Sequence, residues 1–173
     1  MNILGRSWEY IATDVSEYGA GGNGGRMTFV YDTRKVWFQN IAGEVVLSGT
    51  NLISKNVEQN GKQEGRQFAR TPFLVSFQAG WFKFDLCTVH IYFGAEYGDK
   101  LKRRIQEIDK ISEEMGERAE LGFKNKKNAM ILLGDFNIVH PEHDTMKKLK
   151  KYKFEIPSNI QKPSNLKGDK YYD

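Results

Sequence analysis

One stretch of the chain, residues 82–133, constrains the fold more than any other because it contains two different periodicities. Between Phe82 and His90 alternate residues are mostly apolar, which predicts a β-strand with one buried face. From Asp99 to about Leu121 the apolar residues recur at helical spacing, which predicts an amphipathic helix whose charged residues form a solvated face. The next run, Ala129 to Leu133, is apolar at every position, as expected for an inner strand covered on both faces.

The rest of the chain adds strands, loops and a second helix. Further strands are predicted at Trp8 to Val15, Met27 to Thr33, Lys35 to Leu47, and in a run before Phe82 that ends in a turn at Gln78 to Gly80. The other expected elements are a turn at Asp32 to Arg34, a glycine-rich loop "EYGAGGNGGR", a surface loop from Ser48 to Gln67, and a helix from Pro141 to near Tyr152. Strand pairs followed by strand, helix, strand and helix predict an α/β sandwich.

The composition is that of one folded domain. The chain has 173 residues, of which 39% are hydrophobic, enough for a packed core. Its formal charge of +4 permits a polyanionic partner without requiring one. A single cysteine, Cys87, excludes an internal disulfide and a thiolate zinc site. Because no apolar run could span a bilayer and the N-terminus lacks the layout of a secretory signal, we expect a cytoplasmic protein without a membrane partner.

The motif Gly-Asp-Phe-Asn at residues 134–137 is the first indication of chemistry. In an extended chain Asp135 and Asn137 would project to the same side from the end of the inner strand. A carboxylate beside a carboxamide suits a hard cation such as Mg²⁺, or the positioning of a water molecule. The alternative is a simple turn, because Asp, Asn and Gly all favour turns, and the tetrapeptide alone does not decide between the two. His90, taken alone, is more typical of a hydrogen-bonded core residue than of a ligand.

Five segments of the chain together resemble the endonuclease/exonuclease/phosphatase family, which has the deoxyribonuclease-I-like fold. They occur in the family's order: "RMTFVYDTRKV", "RTPFLVSF", "CTVHIYF", "ILLGDFN" and the terminal "YYD". The resemblance implies an α/β fold in which residues 1–173 form one domain, truncated at both ends. This domain would be a partial β-sandwich flanked by helices, a four-layer α/β sandwich lacking its first and last strands. The resemblance also implies a hydrolase of phosphoester bonds, above all a nuclease or other phosphodiesterase, that depends on Mg²⁺ or Mn²⁺.

The resemblance implies a role for each matching side chain. His90 would contact the scissile phosphate as an acid or electrostatic stabiliser. Asp135 and Asn137 would orient the nucleophilic water and contact the metal or the phosphate. Arg70 would make a substrate-side phosphate contact or a structural one, and Asp173 would assist at the phosphate. Such a set is chemically coherent, because cations offset charge on the phosphoryl oxygens while oxygen groups position the water.

The chain also departs from the family pattern in three ways. The family's opening strands, one of which carries a metal-binding glutamate, have no match here, and neither does its closing Ser-Asp-His. Gly25 stands where family nucleases have a glutamate that pairs with the strand histidine, so His90 would need another acid. These departures predict weak metal binding and an exposed apolar sheet edge through which the chain could self-associate. They also leave an alternative function open, an inactive module that binds nucleic acid or a partner chain.

Two further segments could bind other ligands. Five lysines between Lys147 and Lys153 could contact a nucleic-acid backbone, but lysines at a helix C-terminus more often complement the helix dipole. In "HPEH", His140 and His143 could begin a zinc site, although Pro141 makes His140 a cap residue and no third ligand is evident. We therefore interpret the lysine segment as the end of a helix, and the two histidines as part of a loop that leads into a helix.

Overall fold

A computed structural model of the chain describes residues 5–15, 24–59, 62–124, 128–168 and 170–171. Within these ranges the chain forms eight strands and two α-helices, and a short 3-10 helix follows them at Ser158–Ile160. In chain order they are β1 (Trp8–Ala12), β2 (Thr28–Asp32), β3 (Trp37–Glu44), β4 (Ile53–Gln59), β5 (Lys62–Arg66), β6 (Phe73–Ala79), β7 (Phe82–His90), α1 (Gly98–Lys124), β8 (Ala129–Asp135) and α2 (Asp144–Lys151). Neither of these helices is both long and apolar enough to cross a lipid bilayer.

The largest sheet positions the candidate site. Its strand order is β3-β6-β7-β8. The first two pairings are antiparallel, whereas β7 and β8 are parallel, with α1 as the crossover between them. Parallel strands end at the same edge of a sheet, so the last residues of β7 and β8, His90 and Asp135, lie side by side.

Two apolar cores lie on opposite faces of this sheet. On one face Phe73, Val75 and Phe77 of β6 pack against apolar residues of β1 and β2. On the other face the sheet packs against α1 and α2, which contribute residues such as Ile108 and Met146. The β1–β2 strand pair therefore packs on one face of the four-stranded sheet, and the two α-helices pack on the other. This layering confirms the predicted partial α/β sandwich flanked by helices.

Residues 48–67 do not form the predicted surface loop. Within them β4 and β5 pair as an antiparallel hairpin, in which Ile53 is the register partner of Arg66. Ile53 is buried in the helix-side core and anchors the start of the hairpin. The prediction was wrong because a two-stranded ribbon satisfies backbone hydrogen bonds between its own strands, so a polar composition does not exclude it.

The second helix is shorter than predicted, because α2 begins at Asp144 and not at Pro141. His140 and His143 form a turn before it, in which the His143 amide donates to the His140 carbonyl at 2.9 Å. His143 is the N-cap, since its Nδ1 accepts a hydrogen bond from the Thr145 amide at 3.2 Å. The capping role predicted for His140 therefore belongs to His143.

Strand β8 is the last strand of its sheet in the part of the chain that the structure describes, although its composition predicts an inner strand. The face of β8 towards the helices is covered, because Met130 and Leu132 pack against the core between the sheet and the helices. On the other face Ile131 and Leu133 are 38% and 39% exposed. The apolar edge predicted from the sequence is therefore present, and self-association through it stays a prediction.

Candidate active site

His90 and Asp135 form the centre of the candidate site. They are register partners at the carboxyl ends of β7 and β8, and His90 Nε2 lies 3.6 Å from Asp135 Oδ2. Their side chains are 39% and 33% exposed, so both are accessible to a ligand. The contact is an ion pair only when the imidazole is protonated. The fold thus brings the strand histidine and the carboxylate of the Gly-Asp-Phe-Asn motif into one place.

Asn137 reaches the site in a different way from that predicted. Strand β8 ends at Asp135, and Asn137 has a left-handed backbone with φ of 51°, so the two side chains do not project in parallel. The Asn137 backbone N–H donates to Asp135 Oδ1 at 2.9 Å, which makes a turn. The buried Asn137 side chain donates from Nδ2 to the Ile91 carbonyl at 2.8 Å. Asn137 therefore links the ends of β7 and β8 by hydrogen bonds. The motif forms a turn, and this turn is compatible with a chemical role for Asp135.

Gly134 allows the close approach of the two strands. Its φ of 123° lies in a region that L side chains rarely adopt. A Cβ at this position would lie 2.2 Å from the Val89 carbonyl oxygen. The first residue of the motif therefore permits the strand spacing that puts Asp135 beside His90.

Arg70 lies beside the histidine in an open cleft of about 320 Å³. Its Nη1 donates to the His90 carbonyl at 3.4 Å. Its Nε is buried, and no atom of the described residues accepts a hydrogen bond from it. The cleft is also lined by Arg26 and by two acids, Asp14 and Glu44. The two guanidinium groups can donate to an anion such as phosphate in this cleft.

The acid that His90 needs comes from its own sheet. Gly25, which replaces the glutamate expected from the resemblance, lines the same cleft as His90 but brings no carboxylate. The Asp135 carboxylate lies 3.6 Å from the imidazole. An acidic partner for the histidine is therefore present although the expected glutamate is missing.

Two buried residues near the site were not identified from the sequence. Arg104 and Glu107 of α1, expected on a solvated face, are 1% and 0% exposed. They lie on one helical stripe with Ile108 and Ile111, at spacings of three and four residues, and that placement is the signal that could have identified them. Burial raises the pKa of Glu107, an effect that a hydrogen bond from the Tyr92 amide opposes.

The described residues offer few ligands for a metal ion. Among them, no group of three or more His, Cys, Asp or Glu side chains could hold a cation. Asp173, which the resemblance adds to the site, lies outside the described residues. Asp135 supplies carboxylate oxygens, whereas the Asn137 carboxamide nitrogen is already bonded to the Ile91 carbonyl. This donor set fits a hard cation whose shell is completed by water and by a substrate phosphate, a common arrangement for Mg²⁺.

The lysine-rich segment is held against α1. Lys148 and Lys151 both contact Asp109, at 3.0 and 3.3 Å, and Lys153 contacts Glu120 at 2.6 Å. These ion pairs and the basic last turn of α2 agree with the interpretation of this segment as a helix end. The His140–His143 turn belongs to no metal-binding group among the described side chains.

Solved structures that are similar to this chain include one from Enterococcus faecalis and one from Bacteroides thetaiotaomicron. One, a functionally unknown conserved protein from Enterococcus faecalis, has 18% identity and a TM-score of 0.56, over 89% of this chain and 53% of its own. The other, an endonuclease/exonuclease/phosphatase family protein from Bacteroides thetaiotaomicron, has 20% identity and a TM-score of 0.52, over 84% of this chain and 46% of its own. No protein-family model and no curated protein sequence matches the chain.

These likenesses identify the fold. The chain has the deoxyribonuclease-I-like α/β architecture in part, which confirms the resemblance to the endonuclease/exonuclease/phosphatase family at the level of the fold. The chain spans about half the length of each of the two solved structures.

Proposed function

We propose that this chain hydrolyses phosphoester bonds, with phosphodiesters of the nucleic-acid type as its substrate class and water as the nucleophile. The observation that carries the proposal is the contact between His90 and Asp135, two accessible side chains 3.6 Å apart at the carboxyl edge of a parallel strand pair. Such edges are where α/β proteins usually have their ligand sites. The partial deoxyribonuclease-I-like fold supports the same reaction class by analogy.

In this proposal the substrate phosphate lies in the cleft beside Arg70 and His90. The Arg70 guanidinium, which lines the cleft, donates hydrogen bonds to the phosphoryl oxygens. A protonated His90 offsets the charge that develops on those oxygens. Since both side chains line one cleft, a single phosphate can contact them together.

Asp135 and His90 divide the proton transfers. The oxygen of a water molecule forms a bond to phosphorus while the bond from phosphorus to the leaving oxygen breaks. Asp135 accepts a hydrogen bond from that water and takes its proton, and His90 gives a proton to the leaving oxygen. Asn137 contributes by holding Asp135 in place through its backbone N–H, at 2.9 Å from Oδ1.

A divalent cation fits this arrangement as a partner of the substrate. Asp135 would hold Mg²⁺ or Mn²⁺, with water and the phosphate as the remaining ligands. The ion would supply charge stabilisation at the phosphoryl oxygens and lower the pKa of a bound water. Because no group of three or more metal-binding side chains occurs among the described residues, we expect weak binding in the absence of substrate.

A binding module without catalytic activity is the second candidate. The shortage of oxygen ligands favours it, because the described residues contain no group of three metal-binding side chains. Such a module would use the same cleft to bind the phosphates of a nucleic acid without breaking a bond.

A hydrolysis assay distinguishes the two candidates. The purified chain is incubated with Mg²⁺ or Mn²⁺ and either plasmid DNA or bis(4-nitrophenyl) phosphate, as wild type and as the variants His90→Asn and Asp135→Asn. The proposal predicts cleavage that falls about 100-fold or more in both variants.

The control variants change the same residue types outside the site. His140→Asn replaces a histidine in the turn before α2, and Asp144→Asn replaces an exposed carboxylate of the first turn of α2. Both should retain wild-type cleavage. Phosphate binding without cleavage in the wild type would contradict the hydrolase proposal and support the binding module.

A further inference from the structure

Glu107 connects two segments that carry site residues. Its carboxylate is fully buried on α1 and accepts a hydrogen bond at each oxygen from a backbone N–H. Oε1 accepts from Ala69 at 3.2 Å, and Oε2 accepts from Tyr92 at 3.1 Å. Ala69 directly precedes Arg70, and Tyr92 follows His90 by two residues. The Glu107 carboxylate therefore fixes the backbone near Arg70 and near His90, whose side chains both line the cleft.

Arg104, almost one turn earlier on α1, connects a third segment. Its Nη1 donates to the Asn137 carbonyl at 3.0 Å, beyond the end of β8. Its Nε donates to the Phe93 carbonyl at 3.0 Å, and its Nη2 donates to the Ala95 carbonyl at 2.8 Å. Both of these acceptors belong to the segment between β7 and α1. The guanidinium thus joins the chain after His90 to the turn that holds Asp135.

The cost of burying these two charges indicates a purpose beyond packing. Taking a carboxylate and a guanidinium out of water is unfavourable, and apolar residues of similar volume are often at least as stabilising. Arg103 offsets part of this cost, since its Nε donates to Glu107 Oε1 at 3.0 Å. The backbone groups to which Glu107 and Arg104 are hydrogen-bonded flank the site. Glu107 and Arg104 therefore fix the relative positions of three segments, which lie before β6, after β7 and after β8.

We propose that Arg104 and Glu107 are positioning residues, which hold the segments bearing Arg70, His90 and Asp135 in the geometry that binds a phosphate. This inference rests on the proposed function for the identity of the ligand. Neither side chain touches the substrate. Each acts through backbone hydrogen bonds, from the face of the sheet that α1 covers.

The variants Glu107→Gln and Arg104→Lys test this role with little change in volume. In Glu107→Gln the new carboxamide would keep one acceptor oxygen but turn an NH₂ group towards the second backbone N–H, so one of the two segments would lose its hydrogen bond. Lysine would keep the charge of Arg104 but would lack the planar fork that reaches three carbonyls. We expect each variant to weaken the binding of inorganic phosphate about 10-fold, the value of one charged hydrogen bond.

Three measurements on the ¹⁵N-labelled chain read out the effect. They are the dissociation constant for inorganic phosphate, the imidazole NMR signals of His90, and the hydrogen-exchange protection of the Ala69 and Tyr92 amides. In Glu107→Gln we expect weaker phosphate binding, shifted His90 signals and lower protection of at least one of the two amides. Arg104→Lys should weaken phosphate binding and shift the His90 signals while the Ala69 and Tyr92 amides stay protected.

The matched controls lie on the same helix. Ser112→Ala removes a buried hydroxyl that has no hydrogen-bond partner among the described atoms, and Glu113→Gln makes the same chemical change at a partly exposed ion pair with Lys110. Both should bind phosphate like the wild type.

The outcomes separate this inference from the proposed function. If Glu107→Gln and Arg104→Lys lower only the melting temperature and bind phosphate normally, the positioning role is overturned. Loss of cooperative unfolding in both variants would overturn it as well, in favour of a purely structural role. If the wild type binds no phosphate and cleaves no ester, the proposed function fails, and the His90 signals and amide protection alone then decide the positioning role.

Discussion

His90 and Asp135 are the last register partners of the parallel strands β7 and β8, and their side chains meet with Nε2 3.6 Å from Oδ2. The relationship is set by strand pairing, because a slip of one residue would turn one of the two side chains to the opposite face. The site therefore depends on the features that fix this register. Two of them lie next to Asp135 in the chain: the Gly134 backbone and the Asn137 turn.

Gly134 can be tested by adding a single methyl group. In Gly134→Ala the new Cβ would meet the Val89 carbonyl oxygen at 2.2 Å, and φ would remain in a strained region. We expect a loss of unfolding free energy of about 2 kcal/mol or more, measured by urea denaturation. The control is Gly49→Ala, where a Cβ would meet nothing within 4 Å. Equal stability of the two variants would show that the close approach of β7 and β8 is not required.

The turn after β2 should give the chain a specific acid sensitivity. The Asp32 carboxylate accepts hydrogen bonds from Arg34, the shortest of which runs from Arg34 Nη2 to Asp32 Oδ2 at 2.7 Å. These hydrogen bonds lower the pKa of the Asp32 carboxyl to about 2. A depressed folded-state pKa gives stability that is fully present above the unfolded value of 3.8 and is lost as the pH falls towards 2. Wild type should therefore be more stable than Asp32→Asn near neutral pH.

Thermal unfolding at several pH values measures this difference. The gap between wild type and Asp32→Asn should close between about pH 4 and pH 2. Asp14→Asn, which changes a fully exposed carboxylate, is the control and should differ little from wild type at any pH. A gap that stays constant down to pH 2 would contradict the assigned pKa shift of Asp32.

Cys87 should be chemically silent in the folded chain. It is buried in the helix-side core, and burial raises the pKa of its thiol to about 12. Because the thiolate is the reactive form, a disulfide reagent such as Ellman's reagent should label the native chain only at the rate of unfolding and label the denatured chain at once. Rapid labelling under native conditions would mean that β7 is more open than the structure indicates.

The sequence was sufficient for the elements that follow a strong periodicity. Strand β7, helix α1 and strand β8 were predicted within a few residues, because alternating or helical apolar spacing has a direct geometric cause. The resemblance, and not the spacing, implied roles at one phosphate for His90 and the Gly-Asp-Phe-Asn motif, and the structure shows His90 beside Asp135. The roles of His90, Asp135, Asn137, Arg70 and Asp173 stay predictions.

The failures have identifiable physical reasons. The β4–β5 hairpin was missed because a ribbon with polar residues has a weak apolar signal. The parallel projection of Asp135 and Asn137 was wrong because the chain turns after Asp135, as the left-handed φ of Asn137 and its backbone hydrogen bond to Asp135 Oδ1 show. The motif alone had left the turn open as an alternative. Arg104 and Glu107 were expected in solvent because charged residues are rarely buried.

A double-mutant cycle on His90 and Asp135 tests the central claim most directly. The ratio kcat/KM for bis(4-nitrophenyl) phosphate is measured for the wild type, for His90→Asn, for Asp135→Asn and for the double variant. If the two side chains act on one phosphate as a unit, each single change costs about 100-fold and the double change costs little more than either. Losses that multiply to about 10⁴-fold, or single variants as active as the wild type, would contradict the shared site.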